Sequence, residues 1–156
     1  MSAPGVTDSL TKAPLVSVIM PAFNAGDTIA RAIDSVLAQT HTCWELWVVD
    51  DASRDATADY VAMRAQSDER INLLRLSHNS GSPAGPRNEA MACAKGRYIA
   101  FLDADDAWLP GKLDTQLAAM RQADVAISCT GAELVRESGE LIDVRCVQAL
   151  CSIPLS

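Results

Sequence analysis

The sequence has no paired cysteines and no excess of basic residues, and each absence excludes a class of protein. Its five cysteines are an odd number, include no CxxC pair and have no histidine partners at zinc-ligand spacing. Neither a disulfide framework nor a zinc site is therefore indicated. The formal net charge of −7 argues against nucleic acid as a partner, because phosphate backbones are bound by clustered lysine and arginine. A phosphate-bearing ligand would need a metal ion or backbone donors.

Long apolar runs are also missing from the 156 residues, so no segment is predicted to span a bilayer. Residues 1–14 lack the basic start and apolar stretch of a signal peptide, and we expect them to form a disordered leader. A hydrophobic content of 49% is enough to bury a core. These features together predict a globular, cytoplasmic protein.

Residues 15–130 alternate between two apolar patterns, short β-branched runs that predict strands and apolar residues at helical spacing that predict helices. We predict strands at residues 16–20, 45–50, 71–76, 98–102 and 125–129, and helices at 28–38, 55–66, 86–94 and 110–122, with Asp27 as the first N-cap. This alternation is typical of crossover units on a mostly parallel sheet, which is an α/β fold. In residues 131–156 the pattern weakens, and we expect 133–136 to pair with 141–145 as a hairpin.

Acidic and amide side chains collect where the predicted strands end, and these ends share one rim of a parallel sheet. The residues at these ends are Asn24, Asp50, Asp51, Asn79, Gly81, Asp103, Asp105 and Asp106. Acids on one rim repel each other, which favours a cation among them. The pair Asp103 and Asp105 suits Mg²⁺ or Mn²⁺ with a diphosphate completing the coordination. For Asp106, capping of a turn or of the next helix explains the pattern equally well.

Two further patterns have both a binding and a structural explanation. Of Asp50 and Asp51, one could accept hydrogen bonds from a ribose or base while the other anchors a turn, and we favour Asp51 for the ligand. Gly81 opens a loop of small residues that leads into a helix, and Arg87 is placed there to reach an anion or a base. An ordinary turn with a solvated arginine would give the same pattern.

Three stretches, in this order, resemble the family 2 glycosyltransferases, which have the GT-A fold and transfer sugars from nucleotide diphosphate donors: VSVIMPAFNAGDTIARAIDSVLAQT, WELWVVDDASRDAT and NSGSPAGPRNEAMACAKGRYIAFLDADDAWLPGKL. The resemblance covers residues 15–130. It implies a Rossmann-like α/β/α sandwich with a mostly parallel central sheet that ends after the fifth strand. It also implies that this chain is the donor-binding half of an enzyme that moves a sugar, from a UDP-sugar, to a saccharide or lipid-linked acceptor by inverting displacement.

The resemblance also implies roles for single positions. Residues implied to line the nucleotide-sugar pocket are Pro21, Ala22, Phe23, Asn24, Asp51, Gly81, Arg87, Asp103, Ala104 and Asp105. Asp103 to Asp105 looks like the DxD motif of the family, with Asp105 as the direct ligand of Mn²⁺ or Mg²⁺ and Asp103 directed to the ribose or the metal. Ala52 stands where the family usually has glycine, so the turn there is expected to suit a Cβ. No acid in the remaining piece, which holds Glu133, Glu137, Glu140 and Asp143, has a recognisable general-base context.

Partners and alternatives follow from the same resemblance. We expect peripheral association with the inner face of the membrane through the acceptor, and a homodimer formed through exposed sheet surface. The main alternative is a non-catalytic nucleotide-sugar-binding module that needs further chain or a partner. A nucleotidyltransferase is less favoured, because that class has a basic residue in the loop after the first strand and PAFNAGDT has none.

Overall fold

A computed structural model describes residues 13–136, 140–145 and 149–151. The expected leader lies outside these residues apart from Ala13 and Pro14, and Glu137 also lies outside them. The chain divides into two compact units, with the boundary after Pro110. No helix in the described ranges is long and apolar enough to cross a membrane.

The first unit contains a parallel sheet of four strands with three helices. In chain order the elements are β1 (Val16–Ala22), α1 (Ile29–Leu37), β2 (Trp44–Asp50), α2 (Thr57–Ser67), β3 (Ile71–Arg75), α3 (Ala84–Cys93) and β4 (Tyr98–Phe101). The strand order is β3-β2-β1-β4, and all three pairs are parallel. Val16 on β1 is in register with Trp44 on one side and Tyr98 on the other. The predicted α/β class is confirmed.

The core lies on both faces of β1 and β2, which explains why these strands read as nearly continuous apolar runs. On one face, Ile19 and Val49 pack with Ala90 of α3. The connections through α1 and α2 run in one direction along the sheet, and the connection through α3 runs back. Because such crossovers are right-handed, α3 is expected on the face opposite α1 and α2.

Strand β1 is two residues longer than predicted, because Pro21 does not end it. Proline has no N–H for a strand ladder, and it is tolerated where no ladder bond is lost. The pairing of β1 with β4 stops at Ile19, so Pro21 lies beyond the last paired residue on that side. The predicted N-cap of α1 is wrong: the cap residue is Thr28, not Asp27.

At the amino ends of the strands, Gly96 lies against the backbone of β1. A Cβ on Gly96 would meet the Ser17 nitrogen at 2.5 Å, so only glycine fits without movement. The Gly96 N–H donates to Ser17 Oγ at 2.8 Å, and Ser17 Oγ donates to Glu45 Oε1 at 2.6 Å. The structure thus shows a close approach of two chain segments at Gly96.

The second unit consists of α4 (Lys112–Ala123), β5 (Ile127–Cys129), β6 (Ala132–Val135), β7 (Leu141–Arg145) and β8 (Ala149–Cys151). β6 and β7 pair in antiparallel fashion, and so do β5 and β8. The predicted strand at residues 125–129 is confirmed as β5, but within the described residues β5 pairs with β8 and is not a fifth strand of the parallel sheet. Its partner β8 comes from a segment without a clear apolar period, which is why the pairing was not predicted.

Candidate functional site

The loops that follow β1 and β2 are joined by hydrogen bonds between side chains and backbone N–H groups. Asn24 N–H donates to Ser53 Oγ at 2.9 Å, and Asn24 Oδ1 accepts from Arg54 N–H at 2.8 Å. Two more backbone N–H groups of the first loop donate to the second, Ala25 to Thr57 Oγ1 at 2.8 Å and Gly26 to Asp55 Oδ2 at 2.9 Å. We call these four bonds the interloop network. They hold the two loops as one body at the carboxyl ends of the strands.

Asp55 takes part in this network and also accepts hydrogen bonds from Thr57, the first residue of α2. Its Oδ1 accepts from the Thr57 hydroxyl at 2.5 Å and from the Thr57 N–H at 3.0 Å. The hydroxyl of Thr57, followed by the backbone N–H groups of Thr57 and Gly26, lowers the pKa of Asp55 below its ordinary value. Asp55 therefore keeps its negative charge to a lower pH than an ordinary aspartate.

Two residues of these loops have a left-handed backbone. Asn24 has φ 49° and Ala52 has φ 60°. Asparagine tolerates this region, whereas an alanine Cβ crowds the following carbonyl. The expectation that the turn at Ala52 suits a Cβ is wrong, because its φ is one that glycine adopts freely.

Asp51 holds the loop that follows β3. It is 5% exposed, and its two carboxylate oxygens accept from the Ser80 N–H and the Ser80 hydroxyl, each at 2.9 Å. Asn79 links the same segments, since its Nδ2 donates to the Asp51 carbonyl at 3.2 Å and its Oδ1 accepts from Gly81 N–H at 2.7 Å. Gly81 has φ 73°, which explains the glycine.

Asp50 points into a different environment from Asp51. It is 4% exposed, and its Oδ1 has no hydrogen-bond partner among the residues that the structure describes. The carboxylate that anchors a loop is thus Asp51, although each of its oxygens has a further lone pair for a ligand.

The acids after β4 form a tight turn, which we call the acid turn (Asp103–Asp106). The Asp106 N–H donates to the Asp103 carbonyl at 3.0 Å, and Ala104 is buried while the three carboxylates are exposed. The pKa of Asp106 is raised, first by desolvation and then by the negative charges of Asp105 and Asp103. The positive charge of Arg31 acts in the opposite direction and lowers it. Asp106 closes the turn and does not cap α4, whose N-cap is Gly111.

Arg87 joins α3 to the acid turn. Its Nη2 lies 2.5 Å from Asp103 Oδ1, and its guanidinium lies 5.6 Å from the centre of the Phe101 ring. The arginine side chain is 31% exposed, so the alternative of a freely solvated arginine is wrong. Asp103 is therefore already engaged by a cation from the protein.

The predicted site residues lie at the carboxyl ends of the strands and form two groups. Hydrogen bonds organise the loops of Asn24, Asp51 and Gly81 as one group, and the ion pair of Arg87 belongs to the other with the acid turn. Pro21 and Ala22 are buried strand residues, whereas Phe23 is 48% exposed beside them. Sequence reasoning missed Ser80 and Arg31, because a serine in a loop and an arginine on the polar side of α1 carry no distinguishing pattern.

The described residues offer few side chains that could bind one metal ion together. Across the described part of the chain, no three histidine, cysteine, aspartate or glutamate side chains are grouped so that they could hold a metal ion. At most two carboxylates of the acid turn are therefore available to one ion, and Asp103 is shared with Arg87.

Comparison with known proteins identifies the family. The model of the family "Glycosyl transferase family 2" matches residues 17–142. The chain belongs to this family. The family 2 match includes both loops of the interloop network and the whole acid turn.

Among curated relatives of this family 2 chain, the putative teichuronic acid biosynthesis glycosyltransferase TuaG of Bacillus subtilis is 46% identical over 130 residues, which are 83% of this chain and 51% of TuaG. The UDP-Glc:alpha-D-GlcNAc-diphosphoundecaprenol beta-1,3-glucosyltransferase WfgD of Escherichia coli is 44% identical over 124 residues, 80% of this chain and 48% of WfgD. The chain spans about half the length of these curated relatives.

Solved structures agree on the fold of this family 2 chain. S. aureus TarS 1–349 in complex with UDP-GlcNAc superposes with a TM-score of 0.65 at 27% identity, covering 77% of this chain and 40% of TarS 1–349. The mannosyltransferase PcManGT of Pyrobaculum calidifontis, in complex with GDP-Man and Mn²⁺, gives a TM-score of 0.62 at 29% identity, covering 81% and 37%. The fold is that of the GT-A glycosyltransferases, which confirms the predicted fold class.

Proposed function

We propose that this chain binds a nucleotide-diphosphate sugar, a UDP-sugar in the first instance, and supplies the donor site of a glycosyltransferase. The observation that carries the proposal is that Asp51 and the acid turn lie on one rim of the sheet in a chain of family 2. TarS in complex with UDP-GlcNAc and the UDP-Glc donor in the name of WfgD support UDP as the nucleotide.

The donor would bind across the two groups of the rim. Asp51 has a fixed carboxylate, because Ser80 holds both of its oxygens, and it would accept hydrogen bonds from the base or ribose. The segment from Pro21 to Asn24 and the loop of Gly81 would border the nucleoside. Arg87 would lie beside the phosphates, with Asp103 and the backbone of Ala104 towards the ribose.

The acid turn fits a hard divalent cation such as Mn²⁺ or Mg²⁺. Its donors are carboxylate oxygens, and three carboxylates within four residues repel each other, which a cation would offset. Because two protein carboxylates at most are available, phosphate oxygens would complete the coordination, with Asp105 as the direct ligand and Asp103 as the second candidate. A bound cation would stabilise the negative charge that develops on the departing nucleotide diphosphate.

The expected reaction is an inverting displacement in which an acceptor hydroxyl attacks the anomeric carbon. The acceptor would be a saccharide or a lipid-linked saccharide, as in the name of WfgD. This chain would bind and orient the donor, and none of its described acids is assigned as the general base. Action at the inner face of the membrane and a homodimer stay predictions, the second of which light scattering at high concentration would test.

Isothermal titration calorimetry of the chain with UDP, with and without Mn²⁺, tests the proposal. We expect binding that strengthens with Mn²⁺, and Asp105→Asn should remove the metal-dependent part. Asp59→Asn is the matched control, because it removes the same charge from the start of α2, where Asp59 pairs with Arg75 at 3.1 Å. An absence of UDP binding in both conditions would rule the proposal out.

A second assay separates the enzyme from the non-catalytic alternative. Hydrolysis of UDP-sugars, or transfer to saccharide acceptors, would be measured on the same preparation. Binding of UDP without either activity would favour a donor-binding module that needs further chain or a partner.

A further inference from the structure

Helix α1 and the residues directly after it contact the segment that follows β4 at three backbone carbonyls. Arg31 Nη2 donates to the Asp105 carbonyl at 2.6 Å. At the far end of the segment, Gln39 Nε2 donates to the Leu109 carbonyl at 2.8 Å and Thr40 N–H donates to the Pro110 carbonyl at 3.0 Å. One end of the segment is therefore bonded to α1, and the other end to the residues directly after α1.

Of these three residues, Arg31 is the one that bonds to the acid turn. It is 74 residues from Asp105 in the chain, so the bond is a tertiary constraint on the acid turn. The local bond from Asp106 N–H to the Asp103 carbonyl closes the turn, and Arg87 pairs with the Asp103 carboxylate at its start. Arg31 is the contact at Asp105. Fixing the Asp105 carbonyl fixes the peptide plane next to its Cα, and this limits the directions that the Asp105 carboxylate can take.

The charge of Arg31 has a second effect on the turn. Three carboxylates within four residues repel each other, and this repulsion favours an opened turn. The Arg31 guanidinium, 2.6 Å from the Asp105 carbonyl, places a positive charge at this turn. Because an arginine stays protonated at all ordinary pH values, Arg31 keeps this positive charge wherever the carboxylates are ionised.

We propose that Arg31 is a positioning residue for the donor site, which holds the acid turn so that the Asp105 carboxylate is aimed at a cation bound with the donor diphosphate. The proposal rests on the proposed function for its cation and donor. Arg31 itself bonds to the backbone, so its removal should affect the metal-dependent part of donor binding and leave the nucleoside contacts of Asp51 unchanged.

The test compares Arg31→Gln, Arg31→Lys and the control Arg64→Gln. Arg64 is also an arginine bonded to α1, because its Nη2 lies 2.8 Å from Asp34 Oδ1. Its bond is to a side chain of α1 and not to the acid turn. Calorimetry with UDP and Mn²⁺ should show an affinity about 10- to 100-fold lower for Arg31→Gln, the usual effect of losing a group that orients a metal ligand. UDP affinity without metal should not change, and Arg31→Lys, which keeps a charged donor, should recover most of the loss.

Equal losses with and without Mn²⁺ would overturn the proposal, because they would place Arg31 on the nucleotide. Unchanged affinity in both conditions would overturn it as well. A wild-type chain that does not bind UDP would instead refute the proposed function. In that case, amide hydrogen exchange of residues 102–109 would still test whether Arg31 holds the acid turn. Faster exchange in Arg31→Gln than in Arg64→Gln would support this constraint, and equal exchange would refute it.

Discussion

Replacing Ala52 by glycine should stabilise the first unit. Its φ of 60° cannot relax easily, because hydrogen bonds fix the backbone on both sides of it. Asp51 N–H donates to the Ala22 carbonyl at 2.8 Å, and Arg54 N–H donates to Asn24 Oδ1 at 2.8 Å. Alanine is therefore held in a conformation that glycine adopts without cost.

The expected gain is the difference of two terms. A left-handed backbone costs a residue with a Cβ about 1–2 kcal/mol. Glycine in turn costs about 0.4–1 kcal/mol, because it increases the conformational entropy of the unfolded chain. The net stabilisation of Ala52→Gly is about 0–1.6 kcal/mol, and the midpoint of about 0.8 kcal/mol corresponds to a rise in Tm of roughly 2–3 °C for a chain of this size.

Urea and thermal unfolding, followed by circular dichroism, would measure the change. Ala25→Gly is the matched control on the same rim, because positive φ at non-glycine residues in the described ranges is confined to Asn24, Ala52 and Asp124. At Ala25 the same substitution brings only the entropic cost and should lower the free energy of unfolding. If Ala52→Gly is no more stable than Ala25→Gly, backbone strain at Ala52 is not the correct explanation.

Three further predictions concern other contacts of the first unit. Gly96→Ala should lower the free energy of unfolding by about 1–3 kcal/mol, because the new Cβ meets the Ser17 backbone; an unchanged urea midpoint would contradict the close approach. Asp55→Ala should destabilise the chain and weaken UDP binding together, since it removes bonds to both loops including that to Gly26, and calorimetry beside urea unfolding would show whether the two losses coincide. Burial acts to raise the pKa of Glu45, but hydrogen bonds from Ser17 and from a backbone N–H outweigh it and leave the pKa below 4.5. The ionised Glu45 therefore stabilises the fold at pH values above 4.5, and this stabilisation is lost as the pH falls through the lowered pKa. Urea midpoints measured from pH 6 to pH 3 should fall less in Glu45→Gln than in the wild type.

The sequence allowed the scaffold and the chemistry of its rim to be predicted, because both depend on patterns of side-chain type. The apolar run from Val16 and the helical spacing of Ile29, Ile33 and Val36 indicated elements that the structure confirms within two residues. The acids at the ends of β2 and β4 fall on one rim because parallel strands share their carboxyl ends.

The partners of those acids could not be predicted, because each is set by tertiary geometry. Ser80 belongs to a loop of small polar residues in which any of several could face Asp51. Arg31 reaches Asp105 only because α1 lies beside the end of β4. The pairing of β5 with β8 was missed for a similar reason, since three-residue strands carry no period to detect.

The strand order β3-β2-β1-β4 has a consequence for how a donor would lie. From β1 the chain builds outward through β2 and β3, and it then returns to place β4 on the other side of β1. Strand β1 therefore separates the strand end that carries Asp51, on β2, from the one that carries the acid turn, on β4. A nucleotide sugar that contacted both Asp51 and Asp105 would cross the carboxyl end of β1, with its base towards β2 and its diphosphate towards β4. Its orientation would then follow from the order of the strands.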